Sequence, residues 1–210
     1  MKMLVLGATG ATGRHLVEQA LAQGHRLTAL ARNPAKLHRR SPDLTVVQGD
    51  VTDRGVMERA VRSQDAVLCA LGSSTPLRRD RALVEGIGNL VGAMERLGVR
   101  RLVYRSFLGV SDGRGQLSLL GRYLVAPLLL GKVAADHERK EAIIQRSALE
   151  WVIVRPPRLT NGRRTGPYRS GADIQATMVI PRVSRSGLAE FMLGQLTSDT
   201  YLRRTPAIMY

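Results

Sequence analysis

The residues best suited to chemistry stand near the start of the chain: Gly7-Ala8-Thr9-Gly10-Ala11-Thr12-Gly13, directly after the apolar run at 3–6. Glycine lets a chain turn sharply and brings backbone amides close to a bound pyrophosphate, because no side chain stands between them. A helix that starts at such a turn adds unpaired N–H groups and the positive end of its dipole. A helical pattern at 12–23 follows at once and closes at Gly24, while Thr9 and Thr12 add hydroxyl donors. The glycines are spaced G-x-x-G-x-x-G, one residue wider at the first step than G-x-G-x-x-G. Strand, glycine turn and helix in this order point to a dinucleotide site.

A second apolar run, 26–31, ends at Arg32, which lies about 20 residues beyond Gly10. An NAD site usually carries an acid there to accept from the ribose 2′-hydroxyl, whereas an arginine suits the 2′-phosphate of NADP(H). Lys36 follows one helical turn later, and Arg39 and Arg40 lie within reach of the same phosphate. After a third run, 44–48, comes Gly49-Asp50-Val51. Asp50 is placed to accept from an adenine amino group; the alternative is that Asp50 or Thr52 caps the next helix.

These residues need a scaffold, and the rest of the chain supplies its pattern. Runs at 3–6, 26–31, 44–48, 66–71, 101–104 and 151–154 read as strands. Helical patterns occupy 12–23, 56–62, 81–97 and 136–146. The alternation defines an α/β fold class with a doubly wound parallel sheet, a Rossmann-type three-layer sandwich. No linker or repeat interrupts it, so one NAD(P)-binding domain over 1–210 is expected. The least regular stretches, 109–131 and 161–171, fall after strand ends, on the side where open sheets bind ligands.

Bulk properties narrow the class. A chain of 210 residues buries enough surface to need no disulfide or metal, and the single Cys69 sits in an apolar run as a small buried hydrophobe. The first apolar run is too short for a secretory signal. The longest tract, 117–130, is broken by Gly121, Arg122 and Pro127 and falls short of the ~20 residues of a membrane span. A soluble cytoplasmic protein with no membrane span, monomeric rather than oligomeric, is the expectation. The net charge is +15, carried mostly by arginine in scattered pairs such as Arg78-Arg79 and Arg203-Arg204. Aromatic residues make up only 4% of the chain, too few to interleave with that charge as base-stacking platforms, which argues against nucleic acid. The charge either disperses over a solvated surface or steers anionic small molecules.

Several further motifs accompany the glycine turn: Gln64-Asp65-Ala66-Val67, Leu71-Gly72, Glu85-Gly86-x-x-Asn89 and Gly98-Val99-Arg100-Arg101-Leu102-Val103. Asp136-His137 follows, then Leu149-Glu150-Trp151-Val152-Ile153-Val154-Arg155-Pro156-Pro157, Thr165-Gly166-Pro167-Tyr168, Pro181-Arg182-Val183-Ser184-Arg185 and Phe191-Met192-Leu193. Nearly end to end, the chain resembles an atypical short-chain dehydrogenase/reductase, and within that superfamily it is most similar to the NADPH-dependent flavin reductase/biliverdin-IXβ reductase type. The resemblance implies an NADPH-dependent reductase of flavins and related tetrapyrroles. It implies cofactor contacts at Gly7, Thr9, Gly10, Ala11, Thr12 and Gly13, at Arg32, Lys36, Asp50 and Val51, and at Leu71, Gly72, Ser73 and Ser106. Ser106 matches the family's active-site serine. Two positions depart from the family pattern: its Thr-Ser pair is Arg105-Ser106 here, and the histidine after its Pro-Pro is Arg158.

The residues themselves limit the chemistry. No tyrosine has a lysine four residues later, so the Tyr-x-x-x-Lys acid of the ordinary superfamily members is missing. Hydride transfer needs proximity to an electrophilic atom rather than an acid. Conjugated acceptors such as FMN, FAD, a quinone or a linear tetrapyrrole such as biliverdin delocalise the electrons and take their proton from water. Ser106 either positions nicotinamide or acceptor or is simply structural, and His137 is either an acid or a packing residue. Phe107, Leu108 and Tyr123 are candidate acceptor contacts in a segment, 107–131, that forms either a lid or a packing surface. Arg158 is placed to meet a carboxylate or phosphate. The alternative to an enzyme is a non-catalytic NADP(H)-sensing protein that acts through a protein partner.

Overall fold

The computed structural model describes residues 1–72, 81–116, 126–162, 167–178 and 180–210. Strands β1 (Lys2–Leu6), β2 (Arg26–Ala31), β3 (Leu44–Gln48), β4 (Ala66–Cys69), β5 (Arg101–Arg105) and β6 (Glu150–Val154) form one sheet in the order β3-β2-β1-β4-β5-β6. Every pairing in it is parallel. Helices α1 (Ala11–Ala22), α2 (Arg54–Val61), α3 (Arg81–Leu97) and α4 (Ala126–Gln145) connect the strands.

The sequence of β1 explains why it is central. Met3, Leu4, Val5 and Leu6 are all fully buried, as a strand covered on both faces requires. Met3 and Val5 enter a cluster with Leu16, Val17 and Ala20 of α1. Leu4 and Leu6 point the other way, to Met57 and Ala60 of α2 and Ile87, Leu90 and Met94 of α3. Side-chain alternation along one strand thus builds two cores and three layers. The strand order reverses between β1 and β4, and a crevice opens at their carboxyl ends.

The remaining elements are short. Strands β7 (Arg158–Thr160) and β9 (Arg182–Ser184) pair in parallel, β8 (Arg169–Gly171) and β10 (Ala207–Met209) antiparallel, and helix α5 (Arg185–Gly194) packs on α1. Strands of three residues show no periodicity, and α5 buries Leu188, Ala189, Phe191, Met192 and Leu193 with no polar stripe, so the sequence pattern does not reveal them. The apolar run at 66–71 ends as a strand at Cys69. Helix α4 begins at Ala126, ten residues before its periodic part, so Gly131 is helical rather than part of an irregular segment. One glycine costs ~1 kcal/mol in a helix, and the alanine, leucine, lysine and glutamate of 126–145 outweigh it. Among the described residues no helix is long and apolar enough to cross a membrane.

Candidate functional site

The three glycines of the turn do different work. Gly7 has φ +80°, a conformation that L side chains rarely adopt, and a Cβ there would lie 2.7 Å from the Ala70 carbonyl oxygen. Gly10 N donates to Gly7 O at 2.9 Å and closes the turn. A Cβ on Gly13 would come 2.0 Å from Gly7 O, so this glycine lets α1 seat directly against the end of β1. Gly10 is the N-cap of α1, with no side-chain cap and no acid in the first turn, which leaves the dipole end and its N–H groups to a ligand. Thr9 and exposed Ala11 flank it, while Thr12 is buried at the helix start.

A cleft of about 210 Å³ opens at this point, between the turn and the carboxyl ends of β2, β3 and β4. Gly7, Thr9, Gly10, Arg32, Asp50, Val51, Leu71 and Gly72 from the expected set all line it, and Ala82 and Leu83 at the start of α3 complete one wall. The β3–α2 loop is fixed from behind. Asn89 of α3 donates to the carbonyls of Val51 and Thr52 at 3.2 and 2.9 Å, and a Cβ on Gly86 would collide with Val51 at 2.5 Å. Ser73, expected at the same rim, lies outside the described residues.

Asp50 does not take the capping role expected for it. Its Oδ1 accepts from Thr52 N at 3.0 Å and Thr52 Oγ1 at 2.8 Å, a local turn rather than a helix cap. Asp53 is the N-cap of α2, accepting from Val56 N. The backbone hydrogen bond from Thr52 lowers the Asp50 pKa, aided by the Thr52 hydroxyl and Arg32 and opposed by desolvation. The second oxygen, Oδ2, faces the cleft 3.9 Å from Arg32 Nε. Arg32 is 79% exposed at the cleft mouth, and Lys36 is exposed at the end of the 3-10 turn Pro34–Lys36. Arg39 and Arg40 line a separate groove with Leu44 and Val46 along the edge strand β3. Pro34, Ala35, Leu37 and His38 line the same groove, and none of this segment lines the cleft.

A second group of residues gathers at the carboxyl end of β5. Ser106 is fully buried, its N–H bonded to Val154 O at 2.8 Å and its Oγ 3.4 Å from His137 Nδ1. The His137 ring meets Phe107 edge-on, with centroids 5.1 Å apart. One helical turn further along α4, buried Glu141 takes two hydrogen bonds from buried Arg155, at 3.2 and 2.6 Å, and so pins α4 over the end of β6. Desolvation, then the positive charges of Lys140 and Arg105, push the His137 pKa down to about 3. Desolvation raises the phenol of buried Tyr104 well above its ordinary value and the Cys69 thiol to about 11. None of Tyr104, Ser106 and His137 is therefore an acid poised near neutral pH.

Of the expected acceptor contacts, Phe107 stands beside this group. Leu108 does not: it is 1% exposed and packs against Ala207 and Met209, because its N–H donates to Pro156 O and turns its side chain inward. Arg158 is exposed on β7 opposite Arg182 and does not line the cleft. Tyr123 lies outside the described residues. The residue that sequence reasoning passed over is Arg105, whose Nη2 donates to the carbonyl of Leu71 at 2.9 Å. Its signal was the departure from the Thr-Ser pattern just before Ser106.

The model of a protein family described as NAD(P)H-binding matches residues 7–199. An uncharacterized chloroplastic protein of Arabidopsis thaliana is 32% identical over 79% of this chain and 61% of its own length. The (4-alkanoyl-5-oxo-2,5-dihydrofuran-3-yl)methyl phosphate reductase of Streptomyces griseus is 30% identical over 73% of this chain and 46% of its own. The chain thus spans about half the length of these curated relatives. Among solved structures, an anaerobilin reductase from Escherichia coli O157:H7 superposes with a TM-score of 0.83 at 20% identity, covering 99% of this chain and 96% of that one.

Proposed function

The chain belongs to this NAD(P)H-binding family, and from that premise we propose that it is an NADPH-dependent reductase that passes a hydride to a conjugated acceptor such as a flavin, quinone or linear tetrapyrrole. The cradle suits a dinucleotide on its own geometry, because a Cβ at Gly7 would strike backbone, and Gly10 meets only Gly7 O, at 3.2 Å. Gly10 and the first turn of α1 take the pyrophosphate, Arg32 with Lys36 takes the 2′-phosphate, and the free oxygen of Asp50 accepts from adenine. NADPH, when bound, supplies the hydride.

The single observation that carries the acceptor class is the neutral character of the group beside β5. Desolvation, then Lys140 and Arg105, hold the His137 pKa down at about 3, and the Tyr104 phenol is buried at 1% exposure, which raises its pKa well above the ordinary value. Ser106 and Phe107 therefore orient and shield the reacting face, and the acceptor draws its proton from water. A ketone, whose alkoxide needs an acid, is a poor fit. The Streptomyces relative and the Escherichia coli neighbour, both named as reductases, support the reaction type.

The test is a panel of FMN, FAD, a benzoquinone, biliverdin and a simple ketone, followed by loss of NADPH absorbance. Turnover of at least one conjugated acceptor with none of the ketone is the expected result. Tight NADPH binding with no turnover across the panel overturns the reading in favour of a cofactor sensor.

A further inference from the structure

Arg105 stands where the resembled family has a threonine, at the last position of β5 and next to Ser106. Its side chain points away from the core that holds Tyr104 and reaches over to the β4 loop. There Nη2 bonds the Leu71 carbonyl, a cleft-lining residue, and lies 2.6 Å from where a Cβ on exposed Gly72 would be. The guanidinium thus occupies the space that a side chain at position 72 would fill.

Its surroundings leave the charge uncompensated among the described residues. Among the described residues no carboxylate forms an ion pair with Arg105, and its Nε is buried without a hydrogen-bond partner. The buried carboxylate of Glu141 on α4 is committed to Arg155. Arg185 at the start of α5 acts on Arg105 as a like charge. Removal from water disfavours its charged form, yet a guanidinium does not lose its proton in a protein. A half-buried cation that donates one bond to a neutral carbonyl, with like charge nearby and a buried N–H to spare, is arranged to receive an anion.

We propose that Arg105 is an anion-binding residue of the site, which takes a phosphate or carboxylate oxygen of a ligand lying beside Leu71 and Gly72. The inference rests on the proposed nucleotide cleft but not on turnover. Two sources supply that oxygen: the cofactor's own phosphates, or an anionic group on the acceptor. In the second case Arg105 selects acceptors that carry a phosphate or carboxylate on a conjugated ring system.

Affinities measured on the full chain separate these sources. FMN and riboflavin share one ring system and differ in a phosphate, so their affinity ratio for protein loaded with NADP⁺ isolates the acceptor's anion. Wild type is expected to favour FMN by roughly ten- to hundredfold, the worth of a charge-assisted bond. R105M should bring the ratio close to one, and R105K, which keeps the charge without the fork, should preserve part of it. If R105M instead weakens NADP⁺ and NADH alike by that factor and leaves the flavin ratio unchanged, the anion is the cofactor's pyrophosphate. If wild type binds neither flavin, the cofactor arm decides alone. Should R105M fail to fold, R105K carries the same comparison with its melting temperature as control. Unchanged cofactor affinity together with an unchanged flavin ratio overturns the proposal. Absence of hydride transfer, by contrast, touches only the proposed reaction.

Discussion

Gly10 and Gly13 lie in one turn, yet alanine at each should fail for a different reason. At Gly13 the new Cβ would lie 2.0 Å from Gly7 O, against the 3.4 Å at which ordinary contact begins. The helix or the turn must yield by roughly 1.4 Å, and both atoms belong to rigid backbone. Moving α1 draws Leu16, Val17 and Ala20 away from the core they share with Met3 and Val5. Overpacking of this kind costs about 3 kcal/mol, and the gain in helix propensity offsets up to ~1 of it. For a chain of this length that corresponds to a loss of about 4–12 °C in Tm. Gly10 has φ −76° and ψ 165°, open to any L residue, and its Cβ would meet only Gly7 O at 3.2 Å. Gly10→Ala should therefore melt within about 3 °C of wild type. Its methyl group stands where the pyrophosphate must approach, and NADPH affinity should fall by tenfold or more as amide–phosphate bonds lengthen. Thermal melts without ligand and calorimetry with NADPH read the two effects separately. A Gly13→Ala protein as stable as wild type, or a Gly10→Ala protein that binds NADPH unchanged, would refute the assignment of roles.

Arg32→Ala should weaken NADPH by roughly tenfold and leave NADH almost untouched, with Lys36→Ala milder; the lower end of the range applies because Arg32 is 79% exposed. Equal affinity of wild type for NADH and NADPH would end the 2′-phosphate reading. Ser106→Ala should lower kcat several-fold at nearly constant NADPH affinity, since one neutral hydrogen bond is worth ~0.5–1.5 kcal/mol; an unchanged kcat with the best acceptor makes the serine structural. For His137 the folded pKa of about 3 lies below the ordinary 6.5, so the unfolded chain binds the proton first. Its contribution is complete above pH 6.5 and is lost as pH falls toward 3, with about 1–2 kcal/mol lost between pH 7 and 5. Urea titrations at those two pH values should show that loss in wild type and a flatter profile in His137→Phe; equal slopes would place the histidine in water.

The alternation of apolar runs with helical patterns was enough to specify the six-stranded sheet, because strands buried on both faces and helices with one apolar stripe write their periods into the chain. The nucleotide turn was legible for the same local reason: Gly7, Gly10 and Gly13 sit within seven residues, and their chemistry depends on backbone that is contiguous. Arg32, Asp50 and Leu71-Gly72 could be placed because each follows the end of a parallel strand, and parallel strands deliver their carboxyl ends to one rim. What the sequence could not decide were choices made by neighbours distant in the chain. Asp50 is shared between Thr52 and the cleft, Leu108 turns to Ala207 and Met209, and Arg39 and Arg40 line the groove along the edge strand. Arg105 and His137 take their character mainly from burial, with charges beside them adding to it. Desolvation depends on how many atoms crowd a group in three dimensions, and no spacing along the chain encodes that count.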